Sequence, residues 1–278
     1  MNKIAVLCSG GDAPGMNAAV RAVVRTACFE GLRILGVQGG YEGLINANLV
    51  AMDARSVANI VQQGGTILQT SRSPRFATPE GRALAAESIR DFDIEGLVVI
   101  GGDGSFRGAQ ALSDEHGVKV VGVPGTIDND LAGTDYTIGF DTAVNTALEA
   151  IDRIRDTATA HDRPFIVEVM GRDAGYIAAE VALGGGADEI LIPEIPFDAD
   201  ELCRKIDRAA ARGKKSFLIV AAEADQMGRS VDIGRIIEEK TGVHFRVCIL
   251  GHVQRGGNPT ARDRMLASRL GAGAVKAL

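Results

Sequence analysis

The sequence predicts an α/β fold built on mostly parallel sheets, and three observations carry that expectation. Short β-branched runs alternate with longer amphipathic stretches along all 278 residues, the pattern of repeated strand–helix units with right-handed crossovers. Several runs are apolar on both faces, as strands covered by helices on two sides must be. Many of the 35 glycines collect just after the runs, where ligand loops lie in open α/β sheets; tight strand-to-helix turns would also use them.

The first candidate strand, Lys3–Cys8, leads through Ser9-Gly10-Gly11-Asp12-Ala13-Pro14-Gly15-Met16-Asn17 into a helical pattern over Gly15–Glu30. Bare glycines let backbone N–H groups approach an anion, and a helix N-terminus adds a favourable dipole. The loop matches neither the dinucleotide fingerprint nor the lysine-bearing phosphate loop, since no lysine follows Gly15. A strand at Arg33–Val37 and a helix over Pro79–Phe92 come next.

The strand Gly96–Ile100 opens on Gly101-Gly102-Asp103-Gly104-Ser105. A carboxylate between glycines suits Mg²⁺, which takes few protein ligands and keeps water and phosphate oxygens; a helix N-cap is the other duty open to Asp103. GGDG also occurs in NAD kinase and diacylglycerol kinase families, so it indicates phosphoryl transfer more than a particular substrate. The strand Lys119–Val123 runs into Pro124-Gly125-Thr126-Ile127-Asp128-Asn129-Asp130. If that segment is extended, its two carboxylates point the same way. One can then take a hydroxyl proton while the other meets metal or water. A surface turn explains the residue types, but not their place after an apolar strand.

A helix is expected over Asp141–His161, then a strand at Phe165–Met170 within Glu168-Val169-Met170-Gly171-Arg172. Strands at Glu189–Ile192 and Phe217–Ala221 follow, the latter closed by Glu223, with helices over Asp198–Arg212 and Val231–Thr241. Phe245–Leu250 opens on Gly251-His252-Val253-Gln254-Arg255-Gly256-Gly257 before a last helix over Pro259–Leu278. Cations and hydrogen-bonding groups at strand ends suit a sugar phosphate. A lone His252 would more often be structural; Arg255 and two glycines beside it favour a ligand.

Composition narrows the classes. Hydrophobic residues are 46% and charged residues 24%, so disorder is excluded for the chain as a whole. The net charge of −6 argues against a nucleic-acid binder. Most of the 30 cations are arginine, which suits bidentate phosphate contact; a genomic bias explains that equally well. No apolar run approaches the ~20 residues that span a bilayer, and Met1-Asn2-Lys3-Ile4 lacks a signal-peptide plan. Cys8, Cys28, Cys203 and Cys248 are scattered and read as core residues of a cytoplasmic protein.

The segments SGGDAPGMNAAVR, GGTILQTSRSP, VVIGGDGS, PGTIDNDLAGTDYTIGFDTA, EVMGRDAGY, LIPE and LGHVQRGGNPTARDR together resemble the bacterial-type ATP-dependent 6-phosphofructokinase family, in the family's order and over nearly the whole chain. The resemblance implies two unequal three-layer α/β/α domains with the active site in the cleft between them. The larger, ATP-binding domain would take 1–139 and 256–278; the smaller, fructose 6-phosphate-binding domain would take 140–255. It implies a glycolytic kinase that phosphorylates fructose 6-phosphate at its 1-hydroxyl, in the cytoplasm.

By the same resemblance Gly11, Tyr41, Arg72, Ser73, Gly102, Asp103, Gly104, Ser105 and Gly108 line the ATP site, and Asp103 holds Mg²⁺. Thr126, Asp128, Asp130, Met170, Gly171, Arg172, Glu223, His252 and Arg255 line the sugar site, while Arg163 and Arg246 reach the sugar phosphate of a neighbouring subunit in a homotetramer. Asp128 is the general base, with Thr126, Arg172, Arg72 and the Gly11 amide in the catalytic set. Arg21, Arg25, Arg155, Asp188, Arg212, Lys214 and Lys215 match an effector site for ADP or phosphoenolpyruvate, although solvated surface charge is the usual fate of such residues. Ala54 stands where the family commonly has arginine, and Asp188 where glutamate is common; effector affinity or sign is expected to differ.

Pyrophosphate-using relatives carry Asp where Gly104 stands and Lys where Gly125 stands. Two glycines are expected to leave room for the rest of a nucleotide, so ATP is the expected donor. Rival readings are a pyrophosphate-dependent or other-sugar kinase, a lipid or NAD kinase, and a silent nucleotide-sensing subunit. Gly273–Leu278 ends a helical pattern with no cap and no returning strand, and the family runs further, so a C-terminal segment is expected beyond this chain.

Overall fold

The computed structural model describes residues 1–214, 216–223 and 229–278. They divide into two compact units, each with its own sheet and core. Unit 1 comprises Met1–Ile127, Leu131–Thr142 and Arg255–Leu278; unit 2 comprises Asp128–Asp130 and Ala143–Gln254.

In unit 1 the strands are β1 (Lys3–Ser9), β2 (Arg33–Val37), β3 (Leu49–Met52), β4 (Gly96–Gly101) and β5 (Val120–Pro124), in the order β3-β2-β1-β4-β5. All neighbours pair parallel except β3, which runs antiparallel to β2 at the edge. β4 is buried at every position, as a central strand covered on both faces must be. The helices are α1 (Met16–Phe29), α2 (Gly40–Ile45), α3 (Pro79–Asp91), α4 (Asp103–His116) and α9 (Ala261–Ala277). Ala5, Leu7, Leu97 and Val99 pack with Leu44, Ala85, Ile89 and Leu112 into one core.

In unit 2, β6 (Phe165–Val169), β7 (Glu189–Leu191), β8 (Leu218–Ala222) and β9 (Arg246–Ile249) form an all-parallel sheet in the order β7-β8-β6-β9. α6 (Tyr176–Gly185), α7 (Ala199–Ala211) and α8 (Arg229–Thr241) complete its elements. Ile166, Ile219, Leu202, Ile206, Ile233 and Ile237 form its core. Asp198 caps α7 by accepting from the Asp200 and Glu201 amides, as an N-cap aspartate should.

α5 (Phe140–His161) begins in unit 1, where the buried Asp263 of α9 holds its first turn. The Asp263 carboxylate accepts from the Gly139 amide at 2.9 Å, the Thr142 amide at 2.8 Å and the Thr142 hydroxyl at 2.5 Å. It thus meets donors that a helix start leaves open.

The eight expected strands all form, with ends shifted by a residue or so. β3, α2, α4 and α6 are additions to the sequence reading. α2 is six residues long with two glycines, and β3 is a four-residue edge. α6 is apolar nearly all round, so its period does not show. α4 is carried by its loop rather than by an apolar stripe, burying only Ser105, Ala109 and Leu112.

Candidate active site

Strand register brings the sequence motifs of unit 1 into one row. Ser9 pairs with Gly101, and Gly101 with Pro124. The loops after β1, β4 and β5 therefore leave the carboxyl edge of the sheet side by side, where open α/β sheets bind ligands. Gly10 and Gly11 follow β1, Gly102 to Ser105 follow β4, and Gly125 and Thr126 follow β5. The Thr126 carbonyl accepts from the Thr137 hydroxyl at 2.6 Å.

Asp103 is the first residue of α4, with Gly102 as its N-cap; the capping duty open to it in the sequence reading is not the one it performs. Its carboxylate is 49% exposed and pairs with Arg107 one turn on, at 2.9 Å. A Cβ at Gly104 would meet nothing within 4 Å, so this side of the loop opens to free space. Gly125 differs. A Cβ there would lie 3.1 Å from Ile100 and 3.2 Å from Met16. The expectation that both glycines leave ligand room is corrected: Gly125 is small because it packs.

Tyr41 is only 4% exposed. Its ring stacks on Phe76 with centroids 3.8 Å apart, and its hydroxyl donates to the Ser105 carbonyl at 2.6 Å. Burial pushes its phenol up, which keeps the donor proton in place. Tyr41 thus stands behind the loop and not on its surface. Gly108 faces the same two rings: a Cβ there would lie 2.9 Å from Phe76 and 3.3 Å from Tyr41.

Arg72 is exposed, on an irregular segment between β3 and α3. Next to it the Ser73 hydroxyl donates to Glu42 at 2.6 Å. Arg255, expected at the sugar site, is placed over the first loop. Its Nη1 donates to the Asp12 carbonyl at 3.2 Å and would lie 2.6 Å from a Cβ at Gly11.

The segment 128–130 is not extended, which corrects the expectation that its carboxylates align. Asn129 between them has φ 53, so the chain turns. Asp128 is 7% exposed while Asp130 is exposed.

Unit 2 has its own row. Val169 pairs with Ala222 and Glu168 with Ile249, so the loops carrying Met170-Gly171-Arg172, Glu223 and His252 emerge together at the carboxyl edge. Glu223 ties two of them: its amide donates to the Val169 carbonyl at 2.9 Å, and its carboxylate accepts from the Arg172 amide at 3.2 Å. Arg172 has φ 55, a left-handed backbone uncommon for a residue with a side chain, and its guanidinium is 68% exposed. Gln254, fully buried, accepts from the Met170 amide at 2.8 Å. Nothing local in the sequence marks a role for Gln254 beyond its position beside a glycine-rich loop, because its partner lies 84 residues away.

Arg163 and Arg246 lie at the opposite edge. Phe165 and Arg246 are partners at the amino end of β6 and β9, and Arg163 precedes β6. Within unit 2, a strand length of roughly 13 Å separates them from Arg172, Glu223 and His252.

Of the expected effector residues, Arg21 and Arg25 lie on α1 in unit 1. In unit 2 Arg155 donates to the Gly185 and Gly186 carbonyls, and Lys214 pairs with Asp188. These three side chains line a cavity of about 40 Å³. Arg212 is exposed at the end of α7. Lys215 lies outside the described residues. Among the described residues no helix is long and apolar enough to cross a membrane, and no group of three or more His, Cys, Asp or Glu side chains could hold a metal ion.

Comparison with known proteins adds independent findings. The family model described as phosphofructokinase matches residues 3–278. The chain is 59% identical over its whole length to ATP-dependent 6-phosphofructokinase 1 of Thermus thermophilus, covering 86% of that protein. It is 58% identical to ATP-dependent 6-phosphofructokinase of Clostridium tetani, again covering 86%. Among solved structures, phosphofructokinase from Saccharomyces cerevisiae matches all of this chain with a TM-score of 0.91 and 40% identity; the chain spans 41% of that longer one. A pyrophosphate-dependent phosphofructokinase from Marinobacter aquaeolei matches 99% of it at TM-score 0.84 and 26% identity, 75% of that chain being covered. The two-sheet α/β architecture and the motif-bearing sequence agree with these matches, and the chain belongs to the phosphofructokinase family.

Proposed function

We propose that the chain transfers the γ-phosphoryl group of ATP to the 1-hydroxyl of fructose 6-phosphate, giving fructose 1,6-bisphosphate, the committed step of glycolysis. The observation that carries this reading is the row at the carboxyl edge of unit 1. Two glycine loops and Asp103 stand together there, with free space beside Gly104. A nucleotide's phosphates fit such a row, since backbone amides and a helix start favour negative charge. The names of the relatives at 58–59% identity support the donor and the sugar.

In this reading Asp128 accepts the proton of the 1-hydroxyl, whose oxygen attacks the γ-phosphorus in line. The Gly11 amide, Arg72 and Arg172 stabilise charge on the transferring group. Thr126, Asp130, Met170, Gly171, Glu223 and His252 orient the sugar phosphate. A divalent metal suits the donor set: one half-exposed carboxylate, Asp103, matches Mg²⁺, which fills its other positions with water and phosphate oxygens. Bound there, Mg²⁺ would neutralise charge on the phosphate oxygens.

Arg163 and Arg246 stand a sheet length from the other sugar-site residues of unit 2. This supports their serving a neighbouring copy in a homotetramer with shared sites. Arg155, Asp188 and Lys214 around one small cavity support an effector site for ADP or phosphoenolpyruvate.

The test is steady-state formation of fructose 1,6-bisphosphate with ATP and with pyrophosphate as donors. ATP is expected to be preferred; a preference for pyrophosphate, or no turnover of fructose 6-phosphate with either, overturns the reading.

A further inference from the structure

The segment 53–78, between β3 and α3, holds no regular element, yet it carries Arg72. A loop of this length in a compact unit is usually functional, and its backbone needs partners. The buried Asn17 supplies several: its amide donates to the Gln63 and Gly64 carbonyls at 3.3 and 2.9 Å, and its oxygen accepts from the Ile67 amide at 2.7 Å. The Leu68 carbonyl accepts from the Gly39 amide at 2.8 Å, and the Ser71 hydroxyl donates to the Gly39 carbonyl at 2.7 Å. Thr70 is thereby fixed between two anchors, and its hydroxyl donates to the Gly10 carbonyl at 2.9 Å.

That last contact has a consequence for the neighbouring amide. The Gly10 carbonyl and the Gly11 N–H belong to one peptide unit, and a planar trans peptide points them in opposite directions. Gly10 has φ +89; between two glycines such a unit can rotate at little cost. A donor useful in a transition state must already be oriented when charge develops. Something has to hold this peptide, and the Thr70 hydroxyl is bonded to its oxygen.

We propose that Thr70 is a positioning residue for phosphoryl transfer: by holding the Gly10 carbonyl it aims the Gly11 N–H at the transferring group. The inference rests on the function proposed above and adds a residue that touches neither substrate.

The test compares Thr70→Val, which keeps shape and loses the hydroxyl, with Thr70→Ser, which keeps the hydroxyl. Since loss of one oriented donor lowers kcat by about 10²–10³-fold, T70V should lose at least tenfold in kcat. Its KM for ATP and for fructose 6-phosphate should stay within about twofold of wild type, and T70S should stay near wild type. T70V should also bind ADP normally while losing about tenfold in affinity for ADP with aluminium fluoride, a planar mimic of the phosphoryl group. Melting temperature is read for every variant, and T70A replaces T70V should valine prevent folding. An active wild type with an equally active T70V overturns the inference alone, as do T70V and T70S impaired alike or a loss confined to KM. A wild type inert on fructose 6-phosphate and ATP overturns the function reading, and this inference with it.

Discussion

The Tyr41 hydroxyl donates to the Ser105 carbonyl at 2.6 Å across 64 residues of sequence, tying α2 to the first turn of α4. The bond is buried, and it holds the turn that presents Asp103 and Gly104. Tyr41→Phe keeps the stack on Phe76 and removes only this bond. A neutral hydrogen bond contributes about 1 kcal/mol, which for a chain of this size lowers Tm by roughly 2–4 °C. The KM for ATP should rise severalfold, with the KM for fructose 6-phosphate unchanged. Calorimetry and steady-state kinetics check both, and an unchanged ATP KM would remove Tyr41 from the support of this loop.

Gly104 borders open space, whereas Gly125 borders packed side chains. A side chain at 104 enters free space, whereas one at 125 meets Ile100 and Met16. Gly104→Asp should therefore fold with an unchanged Tm but raise the KM for ATP at least tenfold, since in the proposed ATP site its carboxylate would lie beside the phosphates. Gly125→Lys should lose stability by about 1–3 kcal/mol from overpacking. Urea unfolding and ATP kinetics on both variants decide it; a destabilised G104D with normal ATP kinetics would reverse the assignment.

The contrast shows what was legible. Apolar runs and the glycines after them marked the strands and the carboxyl-edge loops, because burial on both faces and tight turns leave local signatures. Pairing register then set Ser9, Gly101 and Pro124 in one row, as alternating strands and helices imply. What local sequence could not show depends on distant partners or on one dihedral. Gln254 meets Met170 across 84 residues, and Thr70 meets Gly10 across 60. Asn129 breaks an otherwise plausible extended pair with φ 53, a conformation that asparagine tolerates but does not announce.

Asp128, 7% exposed, is the base proposed above, and its burial would let it meet a substrate hydroxyl away from bulk water. Asp128→Asn preserves its shape and removes its capacity to take a proton. General-base catalysis contributes about 10²–10⁴-fold, so kcat should fall by that range while both KM values stay within a few-fold. Near-normal turnover would exclude Asp128 as the base. Asp130, exposed after the turn, should tolerate Asp130→Asn with a change mainly in the KM for fructose 6-phosphate.

Cys8 gives a stability prediction with a defined pH window. Its side chain is fully buried at the end of β1, the Thr66 hydroxyl lies 3.1 Å from its sulfur, and burial pushes the thiol from 9.0 up to about 12. Between those values the unfolded chain has released the proton and the folded chain has kept it. The folded state then binds more protons, so stability falls as pH rises through this window and is unaffected by Cys8 below it. Cys8→Ala loses packing at pH 7 but lacks this alkaline penalty. The stability gap between wild type and Cys8→Ala should therefore narrow between pH 9 and pH 11, by about 1–3 kcal/mol. In the folded protein at pH 8, a thiol reagent should modify the exposed Cys28 and spare Cys8. Urea titrations across the window and mass mapping of the labelled thiols check both parts; a constant gap, or prompt labelling of Cys8, would show that the strand end opens to solvent.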